Sequence, residues 1–78
     1  MHLDQLLIDV AFVARQRFPK TPIRVWYVML GEGAWKGIVI NTVSKIKLAD
    51  GPVRSTPAGS LASFKAQLER SITKLGSV

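Results

Sequence analysis

The residues able to perform acid, base or metal chemistry are few in this chain of 78 residues, and they are scattered. The single histidine, His2, stands at the N-terminus, where chains tend to fray, so we interpret it as an exposed bystander rather than a catalytic base. The absence of cysteine excludes disulfides, thiolate zinc sites and thiol nucleophiles. The carboxylates are Asp4, Asp9, Glu32, Asp50 and Glu69.

None of these carboxylates forms a recognisable catalytic or metal-binding set. Asp4 and Asp9 share a predicted helix but lie about 140° apart around it, so they cannot hold one ion or proton jointly. Glu32 and Asp50 fall in predicted turns, where a structural role suffices. Because neither paired carboxylates nor metal-ligand spacing is present, we expect a protein that is not an enzyme and that uses no cofactor.

The glycine-rich segment from Gly31 to Gly37 contains a lysine, as phosphate-binding loops do. A dinucleotide fingerprint would need glycine where Lys36 stands, and a P-loop would need Gly-Lys-Ser/Thr at the start of a helix. The segment instead opens a run of strand-forming residues. We therefore interpret it as a hairpin turn rather than a nucleotide loop.

This turn organises the elements that must position any site. The flanking runs of β-branched and aromatic residues, 23 to 30 and 35 to 40, predict a β-hairpin. With Glu32-Gly33 as its turn, the predicted pairs are Leu30 with Trp35, Val28 with Gly37, Trp26 with Val39 and Arg24 with Asn41. This register places both tryptophans on one face, beside a shallow recess at Gly37.

Trp26 and Trp35 then have two interpretations. If the helices cover their face of the sheet, both residues are ordinary core. If the helices cover the opposite face, which carries Tyr27, Ile38 and Ile40, the tryptophan face is exposed and is an interaction site.

A helix is predicted over residues 3 to 18, where apolar residues recur at three-and-four spacing until Pro19 ends it. Ile8 and Phe12 fall outside this apolar stripe and stand four residues apart, so they contact each other. They are either core residues between the sheet and a neighbour, or a small apolar patch for a partner or a second copy.

After the hairpin, a bend near residues 41 to 43 and a third strand over residues 43 to 48 are predicted. Lys45 and Lys47 would then point to one side of that strand. Asp50-Gly51 marks a turn, after which residues 53 to 56 are expected to return as a short edge strand.

A second helix has two candidate starts, Thr56 with Pro57 as first helical residue, or Ser60, which we prefer. Its single apolar stripe runs to Leu75, and Gly76 suits a C-terminal cap. Together these elements predict one α+β domain over residues 1 to 78, a two-layer α-β-β-β-(β)-α fold with two helices on one face of an antiparallel sheet.

The chain carries eleven Lys and Arg residues against five acids, a formal charge of +6, which favours acidic or phosphate-bearing partners. The charge of Lys36, Lys45 and Lys47 either solvates a face and protects an edge strand, or contacts phosphate beside stacking aromatics. No RNA-binding, helix-turn-helix or zinc-finger signature is present. The N-terminus has no basic region before its apolar residues, and no apolar run approaches the roughly 18 residues of a membrane span. Since the lack of cysteine also fits a reducing compartment, we expect a cytoplasmic protein.

These observations favour a small non-catalytic protein that binds a protein or nucleoprotein partner stoichiometrically, as an inhibitor or modulator. Small phage-borne inhibitors of host defence, anti-CRISPR proteins among them, work in this way, although no motif identifies one here. A nucleic-acid-binding module and a homodimeric or structural subunit are the alternatives. The candidate partner-binding residues are Trp26, Trp35, Lys36, Lys45 and Lys47, with Ile8 and Phe12 as a second patch.

Overall fold

The computed structural model describes residues 3 to 76, with side chains described up to residue 72. The elements are α1 (Leu3–Arg17), β1 (Ile23–Gly31), β2 (Ala34–Asn41), β3 (Lys47–Asp50) and α2 (Pro57–Gly76). The strands form one antiparallel sheet in the order β1-β2-β3. The predicted α+β fold is therefore confirmed. His2 and the side chain of Leu75 lie outside the described part of the chain.

The core lies between the two helices and one face of the sheet. Helix α1 packs on β1, α2 packs mainly on β2, and the helices also pack on each other. Because both predicted apolar stripes have helical spacing, each helix presents one buried side to this core. The buried residues of the core are Leu6, Val10, Val13, Ala14, Val25, Val39, Leu61, Phe64 and Leu68.

The outer side of α1 carries the two apolar residues that fall outside its stripe. Ile8 is 62% exposed and Phe12 is 64% exposed. Both lie roughly 160° around the helix from Val10, which is fully buried, so they point away from the core. The interpretation of Ile8 and Phe12 as core residues is therefore wrong.

The hairpin register differs from the predicted one by a single residue. Gly31 pairs with Ala34 around the Glu32-Gly33 turn as expected, and Gly33 has the positive φ of 68° that such a turn requires. Met29, however, pairs with Trp35, so Leu30 is an extra residue on β1. This bulge shifts every pair beyond it, and the four predicted pairs are wrong.

The shifted register separates the two tryptophans. Val25 pairs with Val39 in the core, and Trp35 shares their face because it stands an even number of residues from Val39. Trp26 pairs with Ile38 on the other face. The prediction that Trp26 and Trp35 share one face is therefore wrong. The face that the helices cover takes its β1 residues from one predicted face and its β2 residues from the other.

Phe64 of α2 occupies the place where a recess was expected at Gly37. A Cβ at Gly37 would stand 2.6 Å from Cδ2 of Phe64, and a Cβ at Gly51 would stand 2.7 Å from Cβ of Phe64. The two glycines are also joined by a 2.8 Å hydrogen bond from the Gly51 N–H to the Gly37 carbonyl. They form a slot that the buried phenyl ring fills, so the predicted recess does not exist.

The connection between β2 and β3 is a turn over residues 42 to 46, where a strand was predicted. The Asn41 side-chain oxygen accepts hydrogen bonds from the N–H groups of Val43 at 2.8 Å and Ser44 at 3.1 Å. Lys45 has a positive φ of 65° and donates its N–H to the Asn41 carbonyl. Since Lys45 lies in this turn and Lys47 in β3, the two lysines do not share a strand as predicted.

The segment after β3 does not return along β3 as a fourth strand. Asp50 still belongs to β3, and Arg54 exchanges backbone hydrogen bonds of 2.8 Å with Trp35 of β2. Helix α2 then begins at Pro57, and Thr56 caps it by accepting the Gly59 N–H at 3.0 Å. The preferred start at Ser60 is therefore wrong, and the alternative start is correct.

Candidate interaction face

The sheet face opposite the helices has no covering layer among the described residues. Alternation along the strands assigns side chains to it, starting from Val25 and Val39, which point into the core. We call this surface the open face. It consists of Arg24, Trp26 and Val28 on β1, Lys36, Ile38 and Ile40 on β2, and Lys47 and Asp50 on β3.

Ile38 forms the apolar centre of the open face. It is only 8% exposed, yet it does not belong to the helix-side core cluster. Its cross-strand partners are Trp26 on one side and Asp50 on the other, and such neighbours shield a residue on a central strand. The open face is therefore a small apolar surface with a charged border.

Trp26 and Arg24 form a concave feature of this face. Trp26 is 43% exposed, and the Arg24 guanidinium carbon lies 5.3 Å from the centroid of its ring. This distance is within the range of a cation–π interaction. Together with Ile40 they line an open recess of about 420 Å³. Arg24 forms no ion pair with any described residue, so its charge is available to a partner.

The Trp26 ring also stacks on Tyr27, with a centroid separation of 5.3 Å and an interplanar angle of 11°. Trp26 and Tyr27 are neighbours on β1, so their side chains leave the strand on opposite faces. Tyr27 in turn lies 5.8 Å from Trp35 at a 55° tilt.

Asp50 binds the two lysines of the open face. Its Oδ2 lies 2.9 Å from Nζ of Lys36 and 2.8 Å from Nζ of Lys47. Hydrogen bonds from Lys47 and then Lys36, with their positive charges, lower the pKa of Asp50 to about 2. The hydrogen bond to Asp50 likewise raises the pKa of Lys47. Both lysine charges are therefore partly neutralised within the protein.

The structure brings only some of the candidate partner-binding residues together. Trp26, Lys36 and Lys47 lie on the open face. Trp35 is half-buried on the helix side of the sheet, and Lys45 is exposed in the turn between β2 and β3. Ile8 and Phe12 form a separate exposed patch on the outer side of α1, which we call the α1 patch.

Arg24 and Ile40 line the recess but are not among the site residues predicted from the sequence. Arg24 stands two positions before Trp26, so strand alternation alone places them on one face. Ile40 is the cross-strand partner of Arg24 only in the shifted register. The signal for Arg24 was therefore present in the sequence, whereas Ile40 required the bulge at Leu30.

Three further findings concern metal binding, membrane spans and similarity to known proteins. Residues 3 to 76 contain no group of three or more His, Cys, Asp or Glu residues that could hold a metal ion. Neither helix combines the length and apolar character needed to cross a membrane, as far as the structure describes them. Comparison with known protein families, curated proteins and solved structures finds no match to this chain.

Proposed function

We propose that the chain is a non-catalytic binding protein that engages an acidic protein or nucleoprotein surface through its open face. The observation that carries this proposal is the recess at Arg24, Trp26 and Ile40, where an exposed ring lies beside an unpaired cation. Aromatic residues and arginine dominate the binding energy of protein interfaces. In this proposal the chain acts stoichiometrically in the cytoplasm as an inhibitor or modulator, the role that phage-borne anti-defence proteins have.

The state of Trp26 favours a protein partner over single-stranded nucleic acid. Base stacking needs a free aromatic ring, whereas this ring already has Arg24 at 5.3 Å and Tyr27 stacked on it. Tight binding of a phosphate backbone needs several free cations, whereas Asp50 holds Lys36 and Lys47, and Arg24 alone remains unpaired among the described cations of the open face. A protein partner that places an apolar side chain against Trp26 and Ile40, and a carboxylate beside Arg24, uses the groups of the open face that remain available.

The test compares variants of the open face with a matched control in capture of the partner from an extract of the source cell. Arg24→Glu and Trp26→Ala should each reduce capture about tenfold or more, because interface hot spots contribute at least about 1.4 kcal/mol. Arg70→Glu is the control, since it makes the same charge reversal at an exposed position of α2, away from the open face. Circular dichroism should show that all three variants are folded.

The captured partner must also bind the purified chain at a fixed ratio in calorimetry. Equal capture by the wild type, Arg24→Glu and Trp26→Ala would contradict the proposal. Nucleic acid, the alternative partner, is tested with single-stranded and duplex oligonucleotides in fluorescence anisotropy at low salt. Tight binding there that weakens steeply as salt is added would favour the nucleic-acid module instead.

A further inference from the structure

The α1 patch is a second surface, independent of the open face, and its surroundings indicate what covers it. Ile8 and Phe12 are more exposed than Trp26, at 62% and 64% against 43%. Asp4 lies in the first turn of the same helix and Arg15 in its last turn. Neither Asp4 nor Arg15 forms an ion pair within the described part of the chain.

These four residues share one side of α1. At about 100° per residue, Asp4, Ile8, Phe12 and Arg15 fall within a sector of roughly 80°, centred opposite the buried Val10. The outer side of the helix therefore has an apolar centre, an acidic end and a basic end. A surface with this order is complementary to itself when a second copy runs antiparallel.

The spacing along the helix allows one two-fold axis to satisfy both kinds of contact. The midpoint between Ile8 and Phe12 falls at residue 10, and the midpoint between Asp4 and Arg15 falls half a residue earlier. At 1.5 Å per residue, the two midpoints differ by less than about 1 Å. One axis therefore places Ile8 against the second copy's Phe12, and Asp4 near the second copy's Arg15.

We propose that the chain forms a weak homodimer through antiparallel packing of α1 on α1 of a second copy. The α1 patch offers only roughly 200 Å² of apolar surface per copy, far below the roughly 800 Å² of a standard interface, so the dimer depends on concentration. Helix α1 covers the sheet face opposite the open face. The dimer therefore leaves both open faces exposed and has two equivalent sites for a partner.

Sedimentation equilibrium tests this proposal between roughly 10 μM and 1 mM protein, where mass action should raise the average mass from monomer towards dimer. Phe12→Glu should weaken the association about tenfold or more, because it places a charge in the apolar centre. Since Phe12 is exposed, the variant should keep the wild-type circular dichroism spectrum. Arg70→Gln, which lowers the net charge by the same single unit at an exposed position of α2, should dimerise like the wild type.

Charge swapping tests the antiparallel arrangement itself. Asp4→Lys and Arg15→Glu should each weaken the dimer several-fold, and the double variant should restore it, although both changes oppose the helix dipole. A wild type that stays monomeric at roughly 1 mM would overturn the homodimer, and the α1 patch would then serve a different protein. A dimer that Phe12→Glu leaves intact, or a double variant without recovery, would also overturn the proposal.

The dimer proposal and the proposed function can each be contradicted without affecting the other. Phe12→Glu should weaken dimerisation but leave capture of the partner by each open face in place. Arg24→Glu should have the opposite effect, because Arg24 lies on the other side of the sheet from α1.

Discussion

Lys36 on β2 and Asp50 at the end of β3 are joined by an ion pair of 2.9 Å, and the same carboxylate oxygen binds Lys47 at 2.8 Å. One carboxylate thus holds two cations along one border of the open face. Lys36 is the better shielded lysine, with 20% of its side chain exposed against 51% for Lys47. The cluster links two neighbouring strands where the backbone register between them is irregular.

Replacing Asp50 with Asn should therefore have an effect that depends on pH. The pKa of Asp50 is about 2 in the folded protein, against an ordinary value of 3.8. A carboxyl group with a lowered folded pKa contributes stability that is present above the unfolded pKa and is lost as pH falls through the folded pKa.

In urea denaturation, Asp50→Asn should be less stable than the wild type at pH 6, and the difference should shrink between about pH 4 and 2. The effect should be modest because the Asp50 side chain is 43% exposed. Glu32→Gln changes a turn carboxylate that forms no ion pair with the described side chains of residues 3 to 72, and it serves as the control. A difference for Asp50→Asn that is the same at every pH would contradict this account.

The glycine slot around Phe64 gives a prediction about stability. Gly37→Ala and Gly51→Ala each bring a methyl group within 3 Å of a fully buried ring, and such overpacking costs about 1 to 3 kcal/mol. Gly51→Ala should lower the unfolding free energy more than Gly37→Ala. Its added methyl group meets Cβ and Cγ of Phe64, which lie near the backbone of α2. Gly31→Ala is the control, since no heavy atom lies within 4 Å of its added methyl group. Equal unfolding free energies for all three variants would refute the slot.

Local patterns in the sequence were sufficient to predict the elements of the fold. The spacing of Val10, Ala14, Phe64 and Leu68 indicates two helices with one buried side each, and both are present. The turn at Glu32-Gly33 could also be predicted, because Gly33 supplies the positive φ it needs. Both features depend on residues close together in the chain.

The faces of the sheet could not be predicted in the same way. They depend on a single extra residue, Leu30, and leucine carries no sequence signal for a bulge. A shift of one residue moves every side chain of β2 to the other face relative to β1. The packing of Phe64 against Gly37 could not be predicted from local patterns either, because the two residues are 27 positions apart in the chain. The composition of the candidate site depends on such tertiary contacts.

The cap of α2 provides a second stability prediction. Thr56→Ala removes the acceptor of the Gly59 N–H and should lower the free energy of unfolding by about 1 kcal/mol. Thr56→Ser keeps the oxygen and should retain most of the stability. Ser55→Ala, at the exposed neighbouring position, should have little effect in the same urea titration. If Thr56→Ala matched the wild type, Thr56 would not be the effective cap.

Iodide quenching of single-tryptophan variants tests the hairpin register and the exposure of the open face together. Trp35→Phe leaves Trp26, which is 43% exposed beside the Arg24 cation that attracts iodide, so its fluorescence should be strongly quenched. Trp26→Phe leaves Trp35, which is half-buried on the helix side, so quenching should be weaker. In urea, where both tryptophans are exposed, iodide should quench the two variants equally. This comparison controls for intrinsic differences in how efficiently iodide quenches each tryptophan. Equal quenching of both native variants would indicate that the tryptophans share one face, and the bulge at Leu30 would then be wrong.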